Sequence, residues 1–276
     1  MIPAAFDYKR AGSADEAVSL LAEHGDEAKL LAGGHSLLPL MKLRLATPTM
    51  LIDVGRLSDL SYIRDGGDHV AIGALTRHRD VEVSDLLKAE VPLLAHAASF
   101  VGDPQVRHRG TLGGTLAHGD PASDLSAVVL ALGATLVAKG PSGERTIAAS
   151  DFFQGFLETA LQPDEMLTEV RIPKTGSNGW SFQKFNRRAQ DWAIVGVAAV
   201  RSGTGNEAGV ALVNMGSVPI RATAVEAALA SGASAADAAK SAAEGLDPPG
   251  DLNASPEYRT HLAQVLVRRA LEEAGI

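Results

Sequence analysis

The stretch Leu31-Ala32-Gly33-Gly34-His35-Ser36-Leu37 decides how the first part of this chain is read. It closes a short apolar run, Ala28–Leu31, that has the length and composition of a strand and stops at two glycines. Two consecutive glycines let the backbone take φ > 0 and bring its N–H groups close to a ligand. The spacing predicts a helical turn over Leu37–Met41, whose start adds partial positive charge. Ala32, Gly33, Gly34, His35, Ser36 and Leu37 therefore suit an anion such as a pyrophosphate. A tight strand–helix turn with no ligand accounts for the same residues.

Upstream, Ser13-Ala-Asp-Glu16 has the form of a capping box, and Val18, Leu20 and Leu21 give the helix behind it an apolar face ending near Gly25. Met50–Val54 reads as a second strand, so the first fifty-odd residues form a small α-β-β-like unit. Further on, Val70–Ile72 is a strand, Thr76 is a candidate N-cap for a helix toward Leu87, and Pro92 opens a helix through Phe100. Gly102–Asp120 is the least regular segment and holds five glycines. Inside it, Thr111-Leu112-Gly113-Gly114-Thr115 repeats the double glycine with a hydroxyl on each side. Arg107 and Arg109 lie just before it, with charge to offer phosphate oxygens. Asp120-Pro-Ala-Ser-Asp124 then leads into a helix over Leu125–Leu132, capped by Ser123 or Asp124. Asp124 either caps that helix or accepts from a ribose hydroxyl. One glycine segment cannot cover a dinucleotide; two from opposite sides can.

Ala134–Ala138, Glu144–Ile147 and Met166–Ile172 read as strands, with a short helix over Phe152–Leu157 between them. Pro173–Gly179 is turn chemistry throughout, which places a boundary after residue 176. The division is 1–176, with subdomains of about 1–56 and 57–176, then 177–276. Trp180–Phe185, Ala193–Arg201 and Gly209–Asn214 read as three antiparallel strands. Gly203-Thr-Gly-Asn-Glu-Ala208 has a superficial dinucleotide fingerprint, but it lies between strands and opens no helix, so it reads as a hairpin turn. Lys184 and Arg187-Arg188, at a strand end, reach a cofactor or a partner, or form a solvated charge cluster. The remainder is helical: Ala222–Ala230, Ala235–Ala243 behind Ser234, and Pro256–Ala274 with Leu262, Val265, Leu266 and Leu271 for a buried stripe.

Composition narrows the function. Hydrophobic residues are 46% and aromatics 4%, so the core is aliphatic. Lys plus Arg is 25 against Asp plus Glu at 33, a net charge of −8 that argues against nucleic-acid binding. The absence of cysteine excludes a disulfide framework, a Cys-ligated zinc and an iron–sulfur cluster held by this chain. Eight histidines form no H-E-x-x-H pair, and no metal is expected here. No apolar run of about 18 residues spans a bilayer, and the N-terminus has no signal-peptide pattern, so a cytoplasmic location is expected. No Ser/His/Asp order or nucleophile elbow stands out, and no catalytic residue is assigned.

Three stretches in order, Leu31–Lys42, Gly110–Thr115 with Asp120–Leu125, and Lys184–Ala193, resemble the FAD-binding medium subunits of the xanthine oxidase-type molybdenum hydroxylases. The likeness is strongest to the aerobic carbon monoxide dehydrogenase branch, through Ala32–Ser36 and Arg188–Trp192. The resemblance implies an α+β fold: a vanillyl-alcohol-oxidase-like, PCMH-type FAD-binding fold of two subdomains, then a C-terminal three-stranded antiparallel sheet with helices. It implies that Ala32–Leu37 and Thr111, Gly113, Gly114 and Thr115 hold the FAD diphosphate region non-covalently. Asp120 belongs to the same motif, Asp124 is implied at the ribose–adenine part, and Leu167 and Lys184 match positions near the flavin. Thr115 stands where many relatives carry Asn, so it keeps a hydroxyl but lacks the amide donor. The resemblance further implies an oxidoreductase subunit in a dimer of heterotrimers. A small subunit would carry two [2Fe–2S] clusters and a large one molybdenum–cytosine dinucleotide, with a quinone as acceptor and contact with the inner membrane face through the complex. The alternatives are the medium subunit of a hydroxylase for an aromatic heterocycle, purine or aldehyde, a stand-alone flavin oxidase, and a non-catalytic scaffold.

Overall fold

Ser13 fixes where the first helix begins. Its hydroxyl accepts from Glu16 N at 3.1 Å, and the Glu16 carboxylate accepts from Gly12 N at 2.8 Å, one residue before the capping-box partner. The helix Ala14–His24 buries Ala17, Val18, Leu20 and Leu21 against a parallel sheet. The computed structural model describes residues 2–202 and 207–276, and the expected hairpin turn over 203–206 lies outside them. Strands Asp7–Arg10, Ala28–Leu31 and Met50–Asp53 make that first sheet, with Met50–Asp53 central. Asp7–Arg10 escapes a periodicity reading because all four residues are exposed.

The second sheet is antiparallel, in the order Ile63–Asp65, His69–Gly73, Met166–Pro173, Thr135–Gly140, Gly143–Ala148. The single helix expected from Thr76 to Leu87 is two, His78–Val83 and Asp85–Glu90, because Ser84 caps the second through Leu87 N. Thr76 caps neither; its hydroxyl is tied to the backbone of Tyr62. Gly102–Asp120, expected to be irregular, holds the helices Pro104–Arg109 and Leu112–His118. Asp103 caps the first, with Pro104 in the position where a missing N–H costs nothing, and Thr111 caps the second. The helix expected over Phe152–Leu157 is Ala149–Phe152, and Phe153–Gly155 pairs instead with Glu158–Thr159.

The third sheet has four strands rather than three: Trp180–Phe185, Val195–Arg201, Ala208–Val213 and the two-residue Ile220–Arg221. Two residues are too few to leave a periodic signal. Side chains alternate across this sheet. Ala198, Val200, Ala211 and Val213 enter the core of the second sheet and the helix Asp124–Ala131. Val195, Val197, Ala199, Val210 and Leu212 face the helix Pro256–Glu273, where Val267 is buried and Val265 only partly so. The turn-rich link Pro173–Gly179 thus joins two halves that share one core. Gly209 marks the contact, since a Cβ there would fall on the carbonyl oxygen of Ala131. Replacing Gly209 with alanine should cost about 1–3 kcal/mol by overpacking, read from urea unfolding midpoints. An unchanged midpoint would mean that the halves do not press together at this point.

Candidate functional site

The two glycine segments meet. A Cβ on Gly33 would overlap the carbonyl of Arg109, one residue before Gly110, so only glycine lets these backbones touch. Arg77 donates to that same carbonyl and, at 3.5 Å, to Gly55 O. Around this junction opens a cavity of about 670 Å³, within the range of small-molecule and cofactor sites. All fourteen residues singled out in the sequence border it: Ala32, Gly33, Gly34, His35, Ser36, Leu37, Thr111, Gly113, Gly114, Thr115, Asp120, Asp124, Leu167 and Lys184.

The two segments work differently. Gly34 has φ +78°, as the double-glycine reading requires. Among the described residues, no protein group accepts from the N–H groups of Gly33, Gly34, His35 or Ser36. Gly113 and Gly114 are instead inside the first turn of Leu112–His118, with no positive φ. Their N–H groups are taken: Leu112 N by Thr76 O, Gly113 N by Ala74 O at 2.8 Å, Gly114 N by Thr111 Oγ1 and Thr115 N by Thr111 O. Gly113 is glycine because a Cβ would strike Ala74. What this segment offers the cavity is therefore the hydroxyl groups of Thr111 and Thr115 and the N–H of Thr111, which has no acceptor among the described residues.

At the other end, Ser123 caps Asp124–Ala131 and releases Asp124 from that role. Asp124 Oδ2 lies 2.6 Å from Lys184 Nζ, with both side chains over nine-tenths buried. Lys184 also donates to Phe100 O at 3.0 Å. Burial pushes the Asp124 carboxyl up to about 6, against the pull of the Lys184 ammonium. Its Oδ1 is buried without a protein partner. Asp120 spends one oxygen on Ala122 N, and His35 Nε2 lies 3.4 Å from Gln105 O, across the junction.

Several residues at the cavity were missed. His78 is 2% exposed, and its Nε2 lies 2.9 Å from Thr115 Oγ1. Trp192 borders the cavity with 61% of its surface exposed, and Leu157 does so at φ +57°. Trp192 ends the Arg188–Trp192 run, which carries only a likeness to a family branch; nothing local marks His78, 37 residues from its partner. Arg107, expected near phosphate oxygens, is engaged within the protein instead: it is bound to Glu82 at 2.9 Å and to the carbonyls of Ser99 and Val101.

An FAD molecule fits these residues: free N–H groups and hydroxyls for a diphosphate, and an unpaired carboxylate oxygen for a donor of the nucleotide. The family of FAD binding domains in molybdopterin dehydrogenase matches residues 4–175, and the CO dehydrogenase flavoprotein C-terminal domain matches residues 180–274. The chain belongs to the FAD-binding medium subunits of the molybdenum hydroxylases and is an oxidoreductase subunit. It is 42% identical to the carbon monoxide dehydrogenase medium chain of Hydrogenophaga pseudoflava, covering 99% of this chain and 98% of that one. It is 38% identical to the 6-hydroxypseudooxynicotine dehydrogenase complex subunit alpha of Paenarthrobacter nicotinovorans, over 99% and 96%. A solved structure of carbon monoxide dehydrogenase from Hydrogenophaga pseudoflava superposes with a TM-score of 0.96 at 43% identity, covering 100% of this chain and 99% of that one.

Two predictions follow from the buried groups. Lys184→Met leaves Asp124 buried and unpaired and should cost about 3–5 kcal/mol in urea unfolding, with part regained in the Asp124→Asn/Lys184→Met double variant. A single variant as stable as the parent would show the pair is not formed. Desolvation, with Arg107 and Arg77 nearby, lowers His78 to about 4. The unfolded state, titrating near 6.5, takes up the proton first, so this contribution is present above pH 6.5 and lost as pH falls through 4. The urea midpoint of His78→Gln should therefore fall less than the parent's between pH 7 and pH 4.5.

Proposed function

We propose that this chain is the electron-transfer subunit of an aerobic carbon monoxide dehydrogenase, taking electrons from a small [2Fe–2S] subunit and delivering them to an external acceptor, a quinone. The observation that carries the reading is the meeting of two glycine segments, one after a strand of the parallel sheet and one opening the helix Leu112–His118, around one cavity. FAD, when bound, supplies the redox chemistry, while the protein supplies binding and electrostatics. Gly33–Ser36 hold the diphosphate through backbone N–H groups, and Thr111 and Thr115 add hydroxyl donors from the facing wall. Asp124 accepts from the nucleotide, Lys184 holds Asp124 in its charged form, and Leu167 walls the site. Residues 1–176, as subdomains of about 1–56 and 57–176, form the flavin half, and 177–276 close it.

A chain without cysteine offers no thiolate to a cluster, so the clusters belong to a partner. Substrate oxidation belongs to a large molybdenum–cytosine-dinucleotide subunit, in a dimer of heterotrimers. Arg187–Gln190 is the candidate partner surface: all four residues are exposed, and Gln190 borders the cavity. No helix among the described residues is long and apolar enough to cross a membrane. The complex is assigned to the cytoplasm, with contact to the inner membrane face through the assembly. The carbon monoxide assignment is supported by full-length likeness to such a medium chain. The likeness to the 6-hydroxypseudooxynicotine dehydrogenase subunit supports a second reading, a hydroxylase of an aromatic heterocycle.

Co-expression with the two partner subunits should give one particle holding FAD, iron–sulfur clusters and molybdenum that reduces a quinone with carbon monoxide. Acid precipitation should release all of the flavin. A particle that oxidises a heterocycle and ignores carbon monoxide would move the assignment to the second reading. A chain that stays monomeric beside its partners and carries no flavin would overturn the proposal.

A further inference from the structure

His78 is buried, neutral and outside every sequence motif, yet it is fastened to the second glycine segment at three points. Its N–H donates to Gly110 O at 3.0 Å, and its Nε2 meets Thr115 Oγ1 at 2.9 Å. A Cβ on Gly110 would lie 2.7 Å from its Cδ2, so the ring packs on bare backbone. Its Nδ1 has no partner. A neutral imidazole carries one proton, so two arrangements compete. If Thr115 donates to Nε2, Nδ1–H becomes a buried donor with nothing to accept it. If Nε2–H donates to Thr115, Nδ1 keeps a bare lone pair and the Thr115 hydroxyl proton is free to turn elsewhere.

The surroundings choose between them. Arg107, Arg77 and His35 act on the ring, with Arg107 itself paired to Glu82 at 2.9 Å, and their net positive charge favours a lone pair over an N–H at Nδ1. Buried N–H groups left without an acceptor are also rare. The Nε2–H arrangement wins, and Thr115 becomes a donor into the cavity. Because the N–H groups of residues 112–115 are already engaged within the protein, this hydroxyl is one of the few donors the segment has to give.

We infer that His78 is a positioning residue: by donating from Nε2 to Thr115 it sets the threonine hydroxyl as a donor to the diphosphate of the bound nucleotide. The inference rests on the flavin-site reading above.

The test uses the full chain, freed of flavin and titrated with FAD, following the quenching of flavin fluorescence. His78→Leu should weaken FAD binding roughly tenfold to hundredfold, the size of a hydrogen bond to a charged group. Thr115→Val should lose a similar factor, and the double variant should lose little beyond Thr115→Val alone, since both changes remove one interaction. His78→Gln, whose amide N–H can replace Nε2–H, should return affinity to within about threefold of the parent, as should Thr115→Ser. Imidazole ¹⁵N shifts of the parent should report the Nε2–H tautomer, a readout that needs no variant to fold. An Nδ1–H tautomer, or independent and additive losses in the double variant, would overturn the assignment. If the parent itself takes up no FAD, the flavin-site reading fails. If the parent binds FAD and Thr115→Val binds equally well, only the role of His78 and Thr115 fails.

Discussion

The carbonyl of Arg109 occupies the place where a side chain on residue 33 would have to go, and the rest of the site depends on that contact. It joins a loop of the parallel sheet to a loop among the helices that cover the antiparallel sheet. Arg77 draws the same carbonyl toward Gly55, so two backbone segments converge on one guanidinium. The cavity opens around this junction. A larger residue at position 33 would push apart the walls rather than merely fill space.

The third sheet closes the arrangement through a charge. Lys184 comes from the strand Trp180–Phe185 and Asp124 from the first turn of Asp124–Ala131, sixty residues apart. Their contact lies at the cavity, so the fastening between the halves is also part of the ligand wall. An ammonium and a carboxylate withdrawn from water are a poor source of stability compared with apolar packing. The pair leaves one Asp124 oxygen, Oδ1, buried without a partner among the described residues.

Most of the fold was legible because its signals are local. Ser13 and Pro256 announced helix starts, and Ala28–Leu31 and Met166–Pro173 stand out as apolar runs of strand length. The elements that escaped have no local signal. Asp7–Arg10 buries nothing, Ile220–Arg221 has two residues, and Ser84 breaks a helix that periodicity alone would carry through. The site divides the same way. Glycine pairs and their flanking hydroxyls can be read from a chain, and all of them border the cavity. What could not be read was why Gly113 and Gly114 are glycine. The double-glycine argument predicts positive φ, but the structure gives helix, with Gly113 packed on Ala74 and Gly114 against the capping hydroxyl of Thr111. Arg107 misled for a related reason: charge near a glycine segment suggests phosphate, and only tertiary structure shows Glu82 waiting for it. The Asp124 question, cap or ligand contact, was settled against the cap by Ser123, one residue away.

The contrast between the two walls bears on how such a site can change over time. At Gly33–Ser36 the donors are main-chain groups, which no substitution can delete without rebuilding the loop. At Thr111 and Thr115 the donors are side chains, so a single codon change can remove, lengthen or replace one while the backbone stays where it is. One wall is therefore fixed and the other adjustable. Thr115 is the freer of the two, because Thr111 also caps the helix Leu112–His118 and a change there costs the fold as well.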